Sequence, residues 1–123
     1  MKITNLLLWV KDIKLSVQFY KKLGFDVLRS DESHAVITLG DFEIMLVNSR
    51  GEEFFAHDAD AGVKGKGVYI YIEANDVDEV YASLLKKDIR PVAEPKNWHW
   101  GNREFIAKDP DGYKLCFWQK ISW

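Results

Sequence analysis

A single cysteine, no long apolar run and no block of like charge set the first limits on this chain. One thiol cannot close an internal disulfide, so the composition points to a reducing compartment, with the cytoplasm as the default. The opening MKITNLLLWVKD offers five consecutive apolar residues before Lys11 and Asp12, too few for a signal-peptide core or a membrane span. A formal net charge of −2, with neither sign gathered into a run, lacks the concentrated basic face that nucleic-acid binding needs. It leaves room for a neutral or cationic small ligand. At 123 residues there is length for one domain, spanning 1–123, and none for a second.

What is present is an ordinary globular composition, 47% hydrophobic and 29% charged. Residues 3–10 read as a strand, after which Asp12 caps a helix whose apolar face runs through Ile13, Val17 and Tyr20 until Gly24 stops it. Three strands follow, at 25–29, 35–39 and 42–47, the last two joined at Gly40-Asp41. From Gly67 the same order returns: a strand over 67–74, a helix opened by Asp76 in D-V-D-E, then strands at 89–93, 103–108 and 113–119, with D-P-D-G at 109–112 as a hairpin turn. An offset of 64 residues places Asp12 on Asp76, Ile13 on Val77, Leu8 on Ile72 and Phe25 on Ile89. The expected fold is therefore α+β, two tandem β-α-β-β-β modules (about 1–48 and 67–123) forming a curved sheet cleft with the helices on the outer face. The linker, 49–66, is long for a plain connection and suits a lid or a docking arm.

Strand alternation sorts the side chains into two faces. Leu6, Leu8 and Val10, Val68, Ile70 and Ile72, and Leu115 and Phe117 make an aliphatic side suited to lie beneath the helices. The opposite side carries Trp9, Tyr69, Tyr71, Cys116 and Trp118 among polar groups. A sheet buried on both sides is more simply built from Val, Ile and Leu, because each buried Tyr hydroxyl or Trp N–H needs a partner. Flat rings on one side suit the wall of a cleft for a planar guest, or else a second core or subunit interface.

Polar candidates are sparse. His34, His57 and His99 have no ligand-like spacing and read as loop or surface residues. A lone cysteine such as Cys116 reads as small apolar filler rather than a nucleophile. Arg103 and Glu104 adjoin in a strand and must point to opposite faces, so one of them enters the cleft: Glu104 to attract a cation, or Arg103 to clamp an anion. Phe54 and Phe55, in the linker, suit either capping a ligand or docking on a partner subunit.

The duplication, the stretch V-K-D-I-K-L-S-V-Q-F-Y-K-K-L-G-F at 10–25 and D-P-D-G-Y at 109–113 resemble the vicinal oxygen chelate superfamily of glyoxalases, extradiol dioxygenases and bleomycin-resistance proteins. W-G-N-R-E-F at 100–105 followed by D-P-D-G is similar to a block of the bleomycin-resistance proteins, with Asn102 as an insertion or local shift. The resemblance implies a homodimer with two clefts, each built from both subunits, that binds a drug without altering it and uses Trp100 as the principal ring. The metalloenzymes of the superfamily hold a divalent ion through His and Glu, and their ligand positions fall here on Asn5, near Met45, on Gly67 and on Cys116. None supplies an imidazole or carboxylate, so neither metal nor other cofactor is expected. The sequence reading is a non-catalytic small-molecule binder, with Trp100, Trp9, Tyr69, Tyr71, Trp118, Glu104 and Phe54 at its site. The alternative is a metal-dependent lyase, isomerase or dioxygenase with unorthodox ligands, to which His99 or Glu104 would have to contribute.

Overall fold

In Leu6–Trp9 (β1) only Leu8 is fully buried, and its parallel partner across the ladder is Leu46. That pairing sets the core face of the first half of the protein. The structure, a computed structural model, describes residues 1–48, 62 and 64–121. The chain divides into two compact units, Met1–Val63 and Lys64–Trp123.

In the first unit β1 leads into α1 (Ile13–Leu23), then β2 (Asp26–Ser30), β3 (His34–Leu39) and β4 (Phe42–Val47). The four strands form one sheet in the order β1-β4-β3-β2, parallel at β1–β4 and antiparallel elsewhere. Helix α1 starts where Asp12 accepts a hydrogen bond from the Leu15 N–H at 3.1 Å, and ends at Gly24, whose φ of +106° is open to glycine at little cost. Its buried Ile13, Ser16 and Tyr20 face β2, β3 and β4, where Ala35, Ile37, Ile44 and Leu46 are fully enclosed. Tyr20 is edge-on to both Phe19 and Phe25. Each fully buried Ile or Leu among these contributes about 1.5–3 kcal/mol of transfer free energy.

The second unit repeats the plan. It runs β5 (Tyr69–Glu73), α2 (Val77–Lys86), β6 (Lys96–Asn97), β7 (Asn102–Lys108) and β8 (Lys114–Lys120), in the sheet order β5-β8-β7-β6. Asp76 caps α2 through the Glu79 N–H at 3.1 Å, and the Val77 N–H donates to Gln119 Oε1 on β8. Helix α2 lies on β7 and β8, with Tyr81 edge-on to Phe105 and Phe105 stacked on Phe117 at 5.0 Å. The β7–β8 turn is tied by Asp109, whose Oδ1 accepts from the Asp111 and Tyr113 N–H groups, both at 2.9 Å. Two β-α-β-β-β modules in tandem, each with its own mixed sheet, make the fold α+β.

Three expected strands differ, and the first, expected over 3–10, is the shorter Leu6–Trp9. The 89–93 segment is not a strand; β6 is the short Lys96–Asn97 instead. Pro91 and Pro95 have no N–H to give to a ladder, and within the segment Val92 alone is tied to β7, through Ile106 O at 2.8 Å. The strand expected from Gly67 begins at Tyr69, because Gly67 sits in a turn at a φ of +79°.

Candidate ligand-binding site

The face of the second sheet turned away from α2 is assembled by register. Tyr71 lies beside Cys116, which lies beside Ile106, while Glu104 lies beside Trp118. Over part of this face folds the turn between β6 and β7, closed by hydrogen bonds from Trp98 N–H to Asn102 O and from Gly101 N–H to Trp98 O. Gly101 takes a φ of +94°, which favours glycine and lets the turn reverse directly behind Trp100. Between turn and sheet is a cavity of ≈ 420 Å³, walled by Tyr69, Tyr71, Trp98 and Trp100, with Glu104 and Ile106 from β7 and Val92 and Ala93 from the preceding segment.

The rings are arranged rather than merely crowded. Trp98 and Trp100 stack at 4.7 Å between centroids and within 7° of parallel. Lys96 Nζ lies 4.1 Å from the Trp98 centroid, and Lys114 Nζ lies 4.8 Å from that of Tyr69. His99 meets Trp100 edge-on. Trp100 is nevertheless 49% exposed, and Tyr69 and Tyr71 are also about half open, so this aromatic surface is accessible. Its area suits the face of a planar molecule, since ring pairs gain about 0.5–1.5 kcal/mol beyond area burial.

At the floor stands Glu104, 5% exposed and fully provided with donors. Its Oε2 accepts from Asn102 Nδ2 at 2.9 Å and Trp100 Nε1 at 3.1 Å; its Oε1 accepts from the Tyr71 hydroxyl and the Cys116 thiol, each at 3.4 Å. A carboxylate has about four lone-pair positions, and all are taken up. Glu104 therefore fixes the Trp100 indole and braces the floor. Burial first, and then the neighbouring Glu104 charge, push the Cys116 thiol up to about 12. Burial first, then Cys116 and Glu104, likewise raise Tyr71 to about 12. Both groups keep their protons at neutral pH and serve as donors, so Cys116 is neither nucleophile nor mere filler.

Arg103 points the other way. It makes a two-pronged contact with Asp78 on α2, both bonds at 2.8 Å, and reaches Asn97 Oδ1 at 3.0 Å. The choice between Arg103 and Glu104 thus falls to Glu104. Trp118 shares the cavity's face but is not among its walls, and Trp9 stands on β1 of the first unit. Phe54, Phe55 and His57 lie outside the described residues. His34 opens β3, held by Asp31 at 3.2 Å, rather than sitting in a loop. The sequence reading passed over Trp98, Lys96 and Asn102. The cluster K96-x-W98-x-W100 was the available signal, although the two indoles meet within a turn and not along a strand.

The donors at the expected ion positions do not fit a metal. Asn5 accepts from the Thr4 hydroxyl at 2.7 Å, Met45 offers a thioether from β4, Gly67 has no side chain, and the Cys116 thiol donates to Glu104. Leu7 pairs Met45 as Tyr71 pairs Cys116, so the repeat counterpart of Asn5 is Tyr69, not Gly67. Among the described residues no three His, Cys, Asp or Glu side chains form a metal-holding group. A second, more open cavity of ≈ 570 Å³ lies at the start of α1, where Lys11, Lys14 and Lys21 are mixed with Asp31 and Glu32 and no ring takes part.

Paired β-α-β-β-β modules with a ring-walled cavity on one sheet define a two-module α+β protein whose site is built on strands. Residues 2–117 match the model of the Glyoxalase/Bleomycin resistance protein/Dioxygenase superfamily, and the chain belongs to it. It is 31% identical over 121 residues to bleomycin resistance proteins of Geobacillus stearothermophilus and Staphylococcus aureus (strain MRSA252), covering 91% of this chain and 92% of each relative. Among solved structures, a glyoxalase/bleomycin resistance protein/dioxygenase from Nocardioides is similar with a TM-score of 0.79 at 18% identity, covering 99% of this chain and 85% of that one. A bleomycin-binding protein complexed with bleomycin is similar with a TM-score of 0.68 at 20% identity, over 98% and 100% of the two chains. No described helix is long and apolar enough to cross a membrane.

Proposed function

We propose that this protein binds and sequesters a planar aromatic small molecule, leaving it chemically unchanged, in the cavity beside Trp100. The observation that carries the reading is the accessible Trp100 ring, backed by Trp98 and fixed at its Nε1 by a buried, fully satisfied Glu104. A ring held in place before the ligand arrives loses little freedom on binding, which favours affinity. Binding without chemistry is supported by the way the ionisable groups engage one another: Glu104 receives four donors, and the Tyr71 phenol and the adjoining Cys116 thiol are both pushed up to about 12. The resistance proteins at 31% identity support drug sequestration as the biological role.

The working form is a homodimer, as the family resemblance implies, with the open side of the cavity facing the second copy. Tyr69, Tyr71 and Trp100 are the ligand-contacting rings; Glu104 is their support. Trp9, Trp118 and Phe54 are carried in the same proposal as further ligand-binding residues, and the whole chain acts as one functional domain.

The test is a titration followed by tryptophan fluorescence, with bleomycin and flat polycyclic aromatics as probes. Saturable quenching that is lost in Trp100→Ala is expected. If no probe quenches saturably, or if the Ala variant responds like the parent, the binding reading is wrong. Stoichiometric Ni, Zn, Mn or Fe in chelator-free protein would instead favour the metalloenzyme alternative.

A further inference from the structure

The charge of the ligand can be read from the same face of the second sheet, an inference that rests on the binding reading above. Directly paired residues share a face. The registers thereby place Lys96, Lys108, Lys114 and Lys120 on the cavity's side, against only Glu73 and Glu104. The chain as a whole carries −2, so this face runs opposite in sign to the molecule that bears it.

The two kinds of charge are also differently engaged. Glu104 has its four acceptor positions filled by neutral donors, leaving none to receive a hydrogen bond from a cationic guest. Lys96 and Lys114 are not themselves walls of the cavity, but their ammonium groups rest on Trp98 and Tyr69, which are. A cation on a ring face occupies the site that a cationic ligand would use for its own π contact. Trp98 has Trp100 stacked against it as well, so little of that ring is left for a second cation. Among the described residues neither ammonium lies within 4.0 Å of a carboxylate. Both remain free to pair with an incoming anion.

We propose that the cavity selects a planar aromatic acid, a carboxylate or sulfonate, with its ring against the accessible Trp100 surface and its anion drawn by the positive charge of Lys96 and Lys114 around the cavity. Where the overall acidity leaves room for a neutral or cationic guest, the local charges of this face favour an anionic one. Net charge describes the molecule, whereas a guest responds to the unpaired charges around its cavity, and Glu104, the one charged residue among the walls, has its acceptor positions filled.

Three probes of one shape test this: 2-naphthoate, 2-naphthamide and 2-naphthylmethylammonium, measured by isothermal titration calorimetry at low and moderate salt. The acid should bind about tenfold more tightly than the ammonium, with the difference shrinking as salt is added. In a Lys96→Met, Lys114→Met double variant, which keeps apolar stems on the rings, the three affinities should converge to within about twofold. Equal or tighter binding of the ammonium to the unaltered protein would overturn the inference, as would an acid preference that survives in the double variant. If all three bind through Trp100 without regard to charge, only this inference falls. If none binds, or if Trp100→Ala binds all three like the parent, the binding reading falls and this one goes with it.

Discussion

Glu104 shows how one carboxylate can organise a cavity through the donors gathered around it. Removing its charge while keeping its shape turns one acceptor oxygen into a donor facing donors. Glu104→Gln is therefore expected to lower unfolding stability by about 1–3 kcal/mol and to loosen the Trp100 indole, as measured by urea unfolding. The Cys116 thiol gives a signed pH prediction. Folded, it holds its proton to about 12; unfolded, a cysteine releases it near 9.0. The unfolded chain then binds fewer protons above pH 9, so this contribution to stability is complete below that pH and lost as pH rises toward 12. Tyr71 acts in the same direction between 10.0 and about 12. Cys116→Ser keeps a donor for Glu104 but does not titrate, and its unfolding midpoint should decline less between neutral and alkaline pH. Thiol reagents should modify native Cys116 far more slowly than the urea-unfolded protein, because the side chain is 1% exposed.

At the scale of elements, the helix caps carry the plainest predictions. Asp12→Ala and Asp76→Ala each remove an acceptor from a helix N-terminus and should cost about 1 kcal/mol, read from urea midpoints. Gly65 has a φ of +78°, and a Cβ there would meet Tyr113 Cδ1 at 3.0 Å and its backbone Cα at 3.2 Å. Gly65→Ala should therefore destabilise by about 1–3 kcal/mol in the same assay. The caps were legible in the sequence because Asp12, Gly24 and Asp76 act through their own local chemistry. So were the paired helices and the hairpins at Gly40-Asp41 and D-P-D-G, where one residue type dictates the turn. Position β6 was not legible: the apolar residues around Pro91 suggested a strand, whereas the prolines moved pairing onward to Lys96–Asn97. The cavity was legible only as a set of rings on one face. The Glu104 network depends on distances across three strands and a turn, which no spacing along the chain encodes.

At the scale of the whole molecule, each unit repeats the same strand order around its own helix, and the likeness to solved structures extends over nearly the entire chain. The ring-walled cavity is lined by the second unit, where Tyr69 and Tyr71 stand at the places matched by Asn5 and Leu7 in the first. Duplication thus kept a scaffold while the two halves diverged in what their sheets display. Sedimentation velocity should find the protein dimeric at micromolar concentration, and a monomer throughout that range would contradict the shared cleft proposed above.

The Trp98–Trp100 stack has an optical consequence. Two indoles 4.7 Å apart and nearly parallel couple their electronic transitions, so the protein should show an exciton band pair in its ultraviolet circular dichroism. Trp98→Phe should erase that band pair, and a guest settling on Trp100 should perturb it, giving the cavity a label-free reporter of its own occupancy.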